Sequence, residues 1–461
     1  MKMIKDYVIV IPEKADVNEL RAAAFIRDNV KLVCGKKLPI VRDSHAPVPC
    51  EIVVGATARE ALDGLDIPRY IDPDRVNNWE YIMKKVGDRL YLSGLGMPPA
   101  EPRPFTSSYR ALDDGKIGTV MAAYRFTEDI LGYDFLYAPY VDIPENEELL
   151  MPEDYSYHFT REELGKKDPV LYASAAFYTL HCADMLNWNM GCMIFKSRAG
   201  KIVVIDGGHA SETDRFMRIL RKISGKEVPH VSAWLFSHLH SDHYGVYQTL
   251  CSDEKYRGAL TVDGFYCDLV TEEFYTTLSP ERWAGYAEVR KTLLNSENTV
   301  GAKVHTVKAG DVITVDELEF KVIHVPQQEY FTKMNTNDSS VVYKFTYDGK
   351  QTMMLLGDAE YVCSNDLTNN CAELLKSDVV QVGHHGCGNV SGECYKLIGA
   401  DAYIWQVGEK FWYSDNGEGL NTHNTGVIRT RAYMMELSPK PENVHVVMDD
   451  ILSSPLPMKI H

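Results

Sequence analysis

Residues 237–245 read SHLHSDHYG, so His238, His240, Asp242 and His243 fall within six consecutive positions. The run just before them, VSAWLF, is apolar and reads as a buried strand. On an extended loop, residues i and i+2 project the same way, so His238 and His240 can grip one ion together. Asp242 and His243 sit on the following turn and can face a second ion nearby. Imidazole nitrogens and a carboxylate suit Zn²⁺, Mn²⁺ or Fe²⁺. A lone HxH is usually an incidental polar turn. HxHxDH directly after a buried strand is a far more specific metal signal.

A second ion needs a bridging anion and more ligands, and the chain offers candidates in order. GDA at 357–359 places Asp358 after the apolar run TMMLL. GHHG at 383–386 places His384 and His385 after DVVQV. DGG at 206–208 places Asp206 after KIVVI, where an acid can hold a ligand histidine by its second nitrogen. Each is a common turn alone. Together they put ligand-type residues at successive strand ends, as a loop-borne site on a rigid scaffold requires. The metal set read here is His238, His240, Asp242, His243, Asp358 and His384, with Asp206 behind them.

The elements that must position these residues fall into three stretches. Residues 1–150 read as a small α/β domain: DYVIVIP, KLPIVR, EIVVGAT and DRLYLSG as strands. VNELRAAAFIRDNVKLVCG reads as an amphipathic helix with a glycine C-cap, and GTVMAAYRFTEDILGY as another ending at Gly132. Residues 151–168, polar and Pro-containing, read as a linker. Residues 169–461 return to short strands carrying the motifs, with a helix over 211–224 and an aromatic, irregular insertion over 251–300.

The motifs DGG, HxHxDH, GDA and HHG together resemble the metallo-β-lactamase fold over about 170–435. That resemblance implies two β-sheets packed face to face between helices, an αββα sandwich with a dinuclear metal site at one edge. NDSS, GDA and HHGC are similar to the hydrolase domain of competence-type DNA-uptake proteins, as is NTHN at 421–424 with His423. Family members carry a further histidine ligand before the bridging aspartate. Here no histidine lies between His324 and Asp358. Asn337 or Asp338 would be the substitute, and an oxygen donor there would favour Mn²⁺ more than three imidazoles do. Cys387 replaces the usual serine and reads as a small buried residue.

The resemblance implies two divalent cations, Zn or Mn, bridged by Asp358 and activating a water for hydrolysis rather than redox chemistry. Asp242 would orient that water or take its proton. His385 or His423 would stabilise the oxyanion or protonate the leaving group. Residues 5–145, through LVCGKKLPI, IVVG and LYLSG, resemble the accessory N-terminal domain of α-glucuronidases, which implies a carbohydrate context without glycosidase activity.

Composition narrows the partners. With 65 acidic and 48 basic residues the net charge is −17, which argues against a surface built for nucleic-acid phosphates. No apolar run is long enough to span a membrane. Ten cysteines occur singly, without a CxxC pair, as expected of reduced thiols in the cytoplasm, although a chain trimmed of a signal segment would look the same. A homo-oligomer is left open. The expected function is hydrolysis of a phosphodiester in a small or carbohydrate-linked substrate. The alternatives are a lactonase or amide-type hydrolase on a sugar derivative, and a non-catalytic carbohydrate-binding protein with a vestigial metal site.

Overall fold

The computed structural model describes residues 2–67, 80–94, 117–184, 188–271, 273, 285–327, 335–415, 419–438, 440–448 and 451–461. The chain divides into two compact units. The first holds residues 1–164, 185–187 and 413–423; the second holds 165–184, 188–412 and 424–461.

The first unit is built on a six-stranded mixed sheet, in the order 40–42, 8–11, 51–54, 89–94, 81–86, 156–159. Its first four strands run parallel, and 81–86 pairs antiparallel with 89–94 on one side and 156–159 on the other. The helix Val17–Cys34 begins with a capping box, Asp16 against Glu19, and ends at Gly35 with φ 72°. That left-handed C-cap suits glycine, which has no Cβ to clash. The helix Gly118–Asp129 packs beside it. Residues 156–159, expected as linker, instead form the edge strand of this sheet, antiparallel to 81–86. Their polar, half-exposed character is what an edge position permits, and it is why the sequence hides them.

The second unit stacks two sheets. One runs 303–306, 264–267, 230–235, 202–206, 192–196, 176–180, 451–455. The other runs 312–315, 318–324, 342–347, 351–355, 379–381, 402–406, 444–447. Their inner faces share one apolar core, in which the Phe195 ring of the first sheet lies 4.5 Å from Phe345 and 5.3 Å from Phe320 of the second. Part of the expected insertion is a sheet strand, since Gly264–Cys267 pairs in parallel with 230–235 and 303–306. Residues 272 and 274–284 of that stretch lie outside the described residues. Among the described residues no helix is long and apolar enough to cross a membrane.

Candidate metal centre

The candidate residues gather at one end of the two stacked sheets. Asp206 closes the strand 202–206 and His238 follows the strand 230–235. His240 precedes the helix Ser241–Ser252, whose first turn carries Asp242 and His243. Asp358 follows the strand 351–355, and His384 and His385 follow 379–381. Two contacts fasten this edge. The Trp234 indole N–H donates to the Asp206 carbonyl at 2.8 Å, with its ring against Tyr247. A Cβ at Gly245 would stand 2.3 Å from the Ala210 nitrogen, so only glycine lets the helix 241–252 approach the DGG turn this closely.

Two tight donor groups result: Asp242, His243, Asp358 and His385 in one, and His238, His240 and Asp358 in the other. Asp358 is common to both. Its Oδ1 lies 3.1 Å from His243 Nε2 and 3.5 Å from His385 Nε2. Its Oδ2 lies 3.8 Å from His238 Nε2 and equally 3.8 Å from His384 Nε2.

Behind each of these four imidazoles stands a group that engages Nδ1. His243 Nδ1 meets Asp206 Oδ2 at 2.8 Å, the role expected for Asp206. His238 Nδ1 meets Ser237 Oγ at 3.0 Å, and that hydroxyl donates to Asp206 at 2.8 Å. His385 Nδ1 donates to the Gln406 carbonyl at 2.8 Å, and His384 Nδ1 lies 2.7 Å from Glu360 Oε1. Such partners fix the tautomer and leave Nε2 for a cation. His240 differs: its Nε2 is engaged by Thr336 Oγ1 at 2.6 Å, so Nδ1 is the nitrogen it would offer.

The electrostatics agree with a site for cations. Burial holds the His238 imidazole well below its usual range and His240 down to about 4, so both are neutral and ready to ligate. For His243 burial acts the same way, but the Asp358, Asp206 and Asp242 carboxylates override it and hold it well above. Burial would raise Asp358, yet the facing His243, His385 and His384 imidazoles drive it well below the carboxylate range. The buried Nε2 atoms of His238, His243 and His385 and Oδ1 of Asp358 make no hydrogen bond among the described residues. Buried polar atoms are rarely left so. Three such nitrogens converging on one carboxylate are what a metal ion would complete, and the donor set fits one.

The structure revises two expectations. Within HHG, His385 rather than His384 joins the tight group with Asp242 and His243. His384 faces the other oxygen of Asp358 from outside the His238–His240 group. Both histidines adopt left-handed backbone, φ 46° and 52°, ahead of Gly386 at 78°. Non-glycine residues hold such angles at a cost of about 1–3 kcal/mol each, and here the result is two imidazoles aimed at opposite oxygens. The second revision concerns Asp338, which lies in neither of the two donor groups. Its carboxylate accepts the backbone N–H groups of Glu360 at 3.0 Å and Cys363 at 2.9 Å, capping the helix Tyr361–Asn370. Asn337 stands closer: its Nδ2 donates to Glu360 at 2.8 Å and lies 3.4 Å from His384 Nε2.

His324 sits apart, 3.0 Å from Asp366. The Cys387 thiol accepts from Asn189 Nδ2 at 3.4 Å and is pushed up by burial. His423 lies in the 413–423 segment of the first unit, its N–H donating to the Ser414 carbonyl at 3.0 Å. Three supports escaped the sequence reading: Glu360, Thr336 and Ser237. Glu360 alone left a signal, an acid directly after GDA.

This fold and site define a metallo-β-lactamase superfamily domain: residues 192–386 match the family described by that name. The second unit is thus hydrolase-like, with a candidate metal site. Among curated proteins, ComE operon protein 3 of Bacillus subtilis (strain 168) is 23% identical over 225 residues, 46% of this chain and 26% of that one. The chain therefore matches about a quarter of that relative's length. Among solved structures, the metallo-beta-lactamase fold protein YhfI from Bacillus subtilis aligns at TM-score 0.37 and 13% identity, over 61% of this chain and all of that one. CmlA, a diiron beta-hydroxylase from Streptomyces venezuelae, aligns at TM-score 0.37 and 11% identity, over 61% of this chain and 54% of that one.

Proposed function

We propose that the protein is a metal-dependent hydrolase, with a phosphodiester of a small or carbohydrate-linked molecule as its substrate. One observation carries this reading: Asp358 turns one oxygen to His243 and His385 and the other to His238 and His384. A carboxylate so divided is suited to bridge two divalent cations, Zn or Mn. His238, His240 and Asp358 would hold one, with His384 as the further donor that the chain lacks before Asp358. Asp242, His243, His385 and Asp358 would hold the other.

When bound, such ions supply Lewis acidity at the attacked group and a water of lowered pKa. The chain's own contribution is orientation and proton traffic. Asp206, Glu360 and the Gln406 carbonyl fix three imidazole rings from behind. Asp242 is the more open carboxylate, with its side chain 22% exposed against 1% for Asp358, so it is the better placed to take a proton from an attacking water. The carbohydrate part of the reading rests on the resemblance of residues 5–145 to glycosidase accessory domains.

The test is to purify the protein without chelator and count metals by elemental analysis. Bis-p-nitrophenyl phosphate is then assayed with Mn²⁺ and Zn²⁺, for wild type and Asp358→Ala. The expected result is about two ions per chain, with turnover lost in the variant. Turnover of lactones but no phosphodiester would shift the reading to carbonyl chemistry. Two bound ions with no hydrolysis of either class would overturn it.

A further inference from the structure

Beside the HHG turn the second unit carries an open cavity of about 270 Å³ lined by Tyr361, Asn389, Ser391, Arg429 and Tyr433. Three segments build it, and each is tied to the metal centre. Tyr361 follows Glu360, the residue that holds His384. Asn389 and Ser391 lie on the loop that leaves HHG. Arg429 and Tyr433 are four residues apart on the helix Thr425–Leu437, hence on one face. That helix is seated on the turn itself. A Cβ at Gly426 would stand 2.2 Å from the Cys387 carbonyl oxygen, and the Thr430 hydroxyl donates to the Gly386 carbonyl at 3.1 Å.

The lining has a chemical bias. Arg429 is exposed and hydrogen bonded to the Asn389 side chain, and among the described residues no carboxylate pairs with it. An unpaired guanidinium is notable on a chain with 17 more acidic than basic residues. Its planar fork matches the oxygens of a carboxylate or phosphate. Tyr361 is 61% exposed, and Tyr433 lines the same space. The lack of a side chain at Gly392 keeps that space open, because a Cβ there would come within 3.0 Å of the Tyr433 ring.

We propose that this cavity is a substrate subsite, in which Arg429 binds a second anionic group of the substrate, on the arm beyond the bond that is cleaved, while the tyrosines flank the ring that bears it. The subsite takes its meaning from the hydrolase reading, but its existence can be tested separately.

Two non-hydrolysable aryl phosphonates, differing only by a para-carboxylate on the aryl arm, are titrated into metal-loaded protein by calorimetry. Wild type is expected to bind the carboxylated compound about tenfold more tightly, as one charged hydrogen-bonded contact warrants. Arg429→Gln removes the difference and Arg429→Lys restores part of it, while affinity for the plain phosphonate stays unchanged in both. The same discrimination is expected in kcat/KM between bis-p-nitrophenyl phosphate and its singly carboxylated analogue. Equal affinities in wild type, or a difference that survives Arg429→Gln, would overturn the subsite. A difference in affinity with no turnover of either diester would leave the subsite standing and remove the phosphodiester reading.

Discussion

Among the described residues each unit buries a dense cluster of charge, and the two are built in opposite ways. In the first unit, Glu51 accepts Arg59 Nε at 3.0 Å and Arg89 Nε at 2.7 Å. Arg59 Nη1 and Nη2 donate to the Asp43 and His45 carbonyls, and Arg89 pairs with Asp63, which also accepts the Tyr91 hydroxyl. Positive and negative partners match, and the valence of the cluster is closed. In the second unit, four carboxylates (Asp206, Asp242, Asp358 and Glu360) and five histidines crowd together, yet among the described residues nitrogens and an oxygen at the centre are left without hydrogen bonds. A closed cluster holds a fold. An open one waits for a ligand, and that difference separates structure from site here better than burial or charge count does.

The largest effect expected from this contrast is structural. Glu51→Ala strands the buried Arg59 guanidinium and should cost about 3–5 kcal/mol, as breaking a buried ion pair does. Chemical denaturation reads that loss, and elemental analysis of the folded protein should still find the same metal content. A variant that folds normally but loses its metal would erase the distinction between the clusters.

Next come the groups behind the imidazoles. Asp206→Asn and Glu360→Gln each keep shape and remove charge, and each should weaken metal affinity about 10–100-fold with little change in stability. The two are not redundant. Asp206 meets His243 directly and His238 only through Ser237, so its loss should fall mainly on the half that contains His243, and that of Glu360 on the half that contains His384. Competition with a chelator should show one of two ions loosened in each variant. If Glu360→Gln leaves both ions unchanged, His384 is not a donor and the first group is limited to His238, His240 and Asp358.

A smaller effect is a proton count. Opposed by burial but carried by the surrounding carboxylates, His243 and His384 are both raised above the ordinary imidazole value. Protons are therefore held more tightly there than on a free imidazole, and a cation must displace those that are bound. Metal affinity should rise with pH, with net proton release on loading at pH 7. Calorimetry in buffers of different ionisation enthalpy measures the number. A release of zero would mean that the imidazoles are neutral beforehand and that the field of the carboxylates is already cancelled.

The motifs were readable because each sits where an apolar strand stops, and strand ends are written in the sequence as Gly and Asp after a hydrophobic run. DGG, GDA and GHHG all obey that rule, while HxHxDH follows the apolar run VSAWLF through Ser237. What was not readable depends on geometry across long separations. Thr336 meets His240 across 96 residues, and nothing at position 336 announces it. The roles within HHG are set by two left-handed backbone turns that the doublet's composition does not reveal. The strand Ser156–Phe159 was hidden because an edge position tolerates the polar residues that otherwise mark a linker.

Asp338 is the sharpest case of that limit, and the smallest prediction turns on it. By sequence it stands where a replacement ligand is wanted, in a polar NDSS run before the bridging aspartate. In three dimensions its carboxylate points at the start of the helix Tyr361–Asn370 and satisfies N–H groups that the helix cannot. Loss of such a cap costs about 1 kcal/mol. Asp338→Ala should therefore lower the denaturation midpoint slightly and leave metal stoichiometry intact. Because this helix follows Glu360, and Thr336 and Asn337 beside Asp338 touch His240 and His384, a secondary loosening of those imidazoles would appear as a weaker ion in the first group alone. Complete loss of that ion would instead make Asp338 a ligand, and the cap seen here an alternative to it.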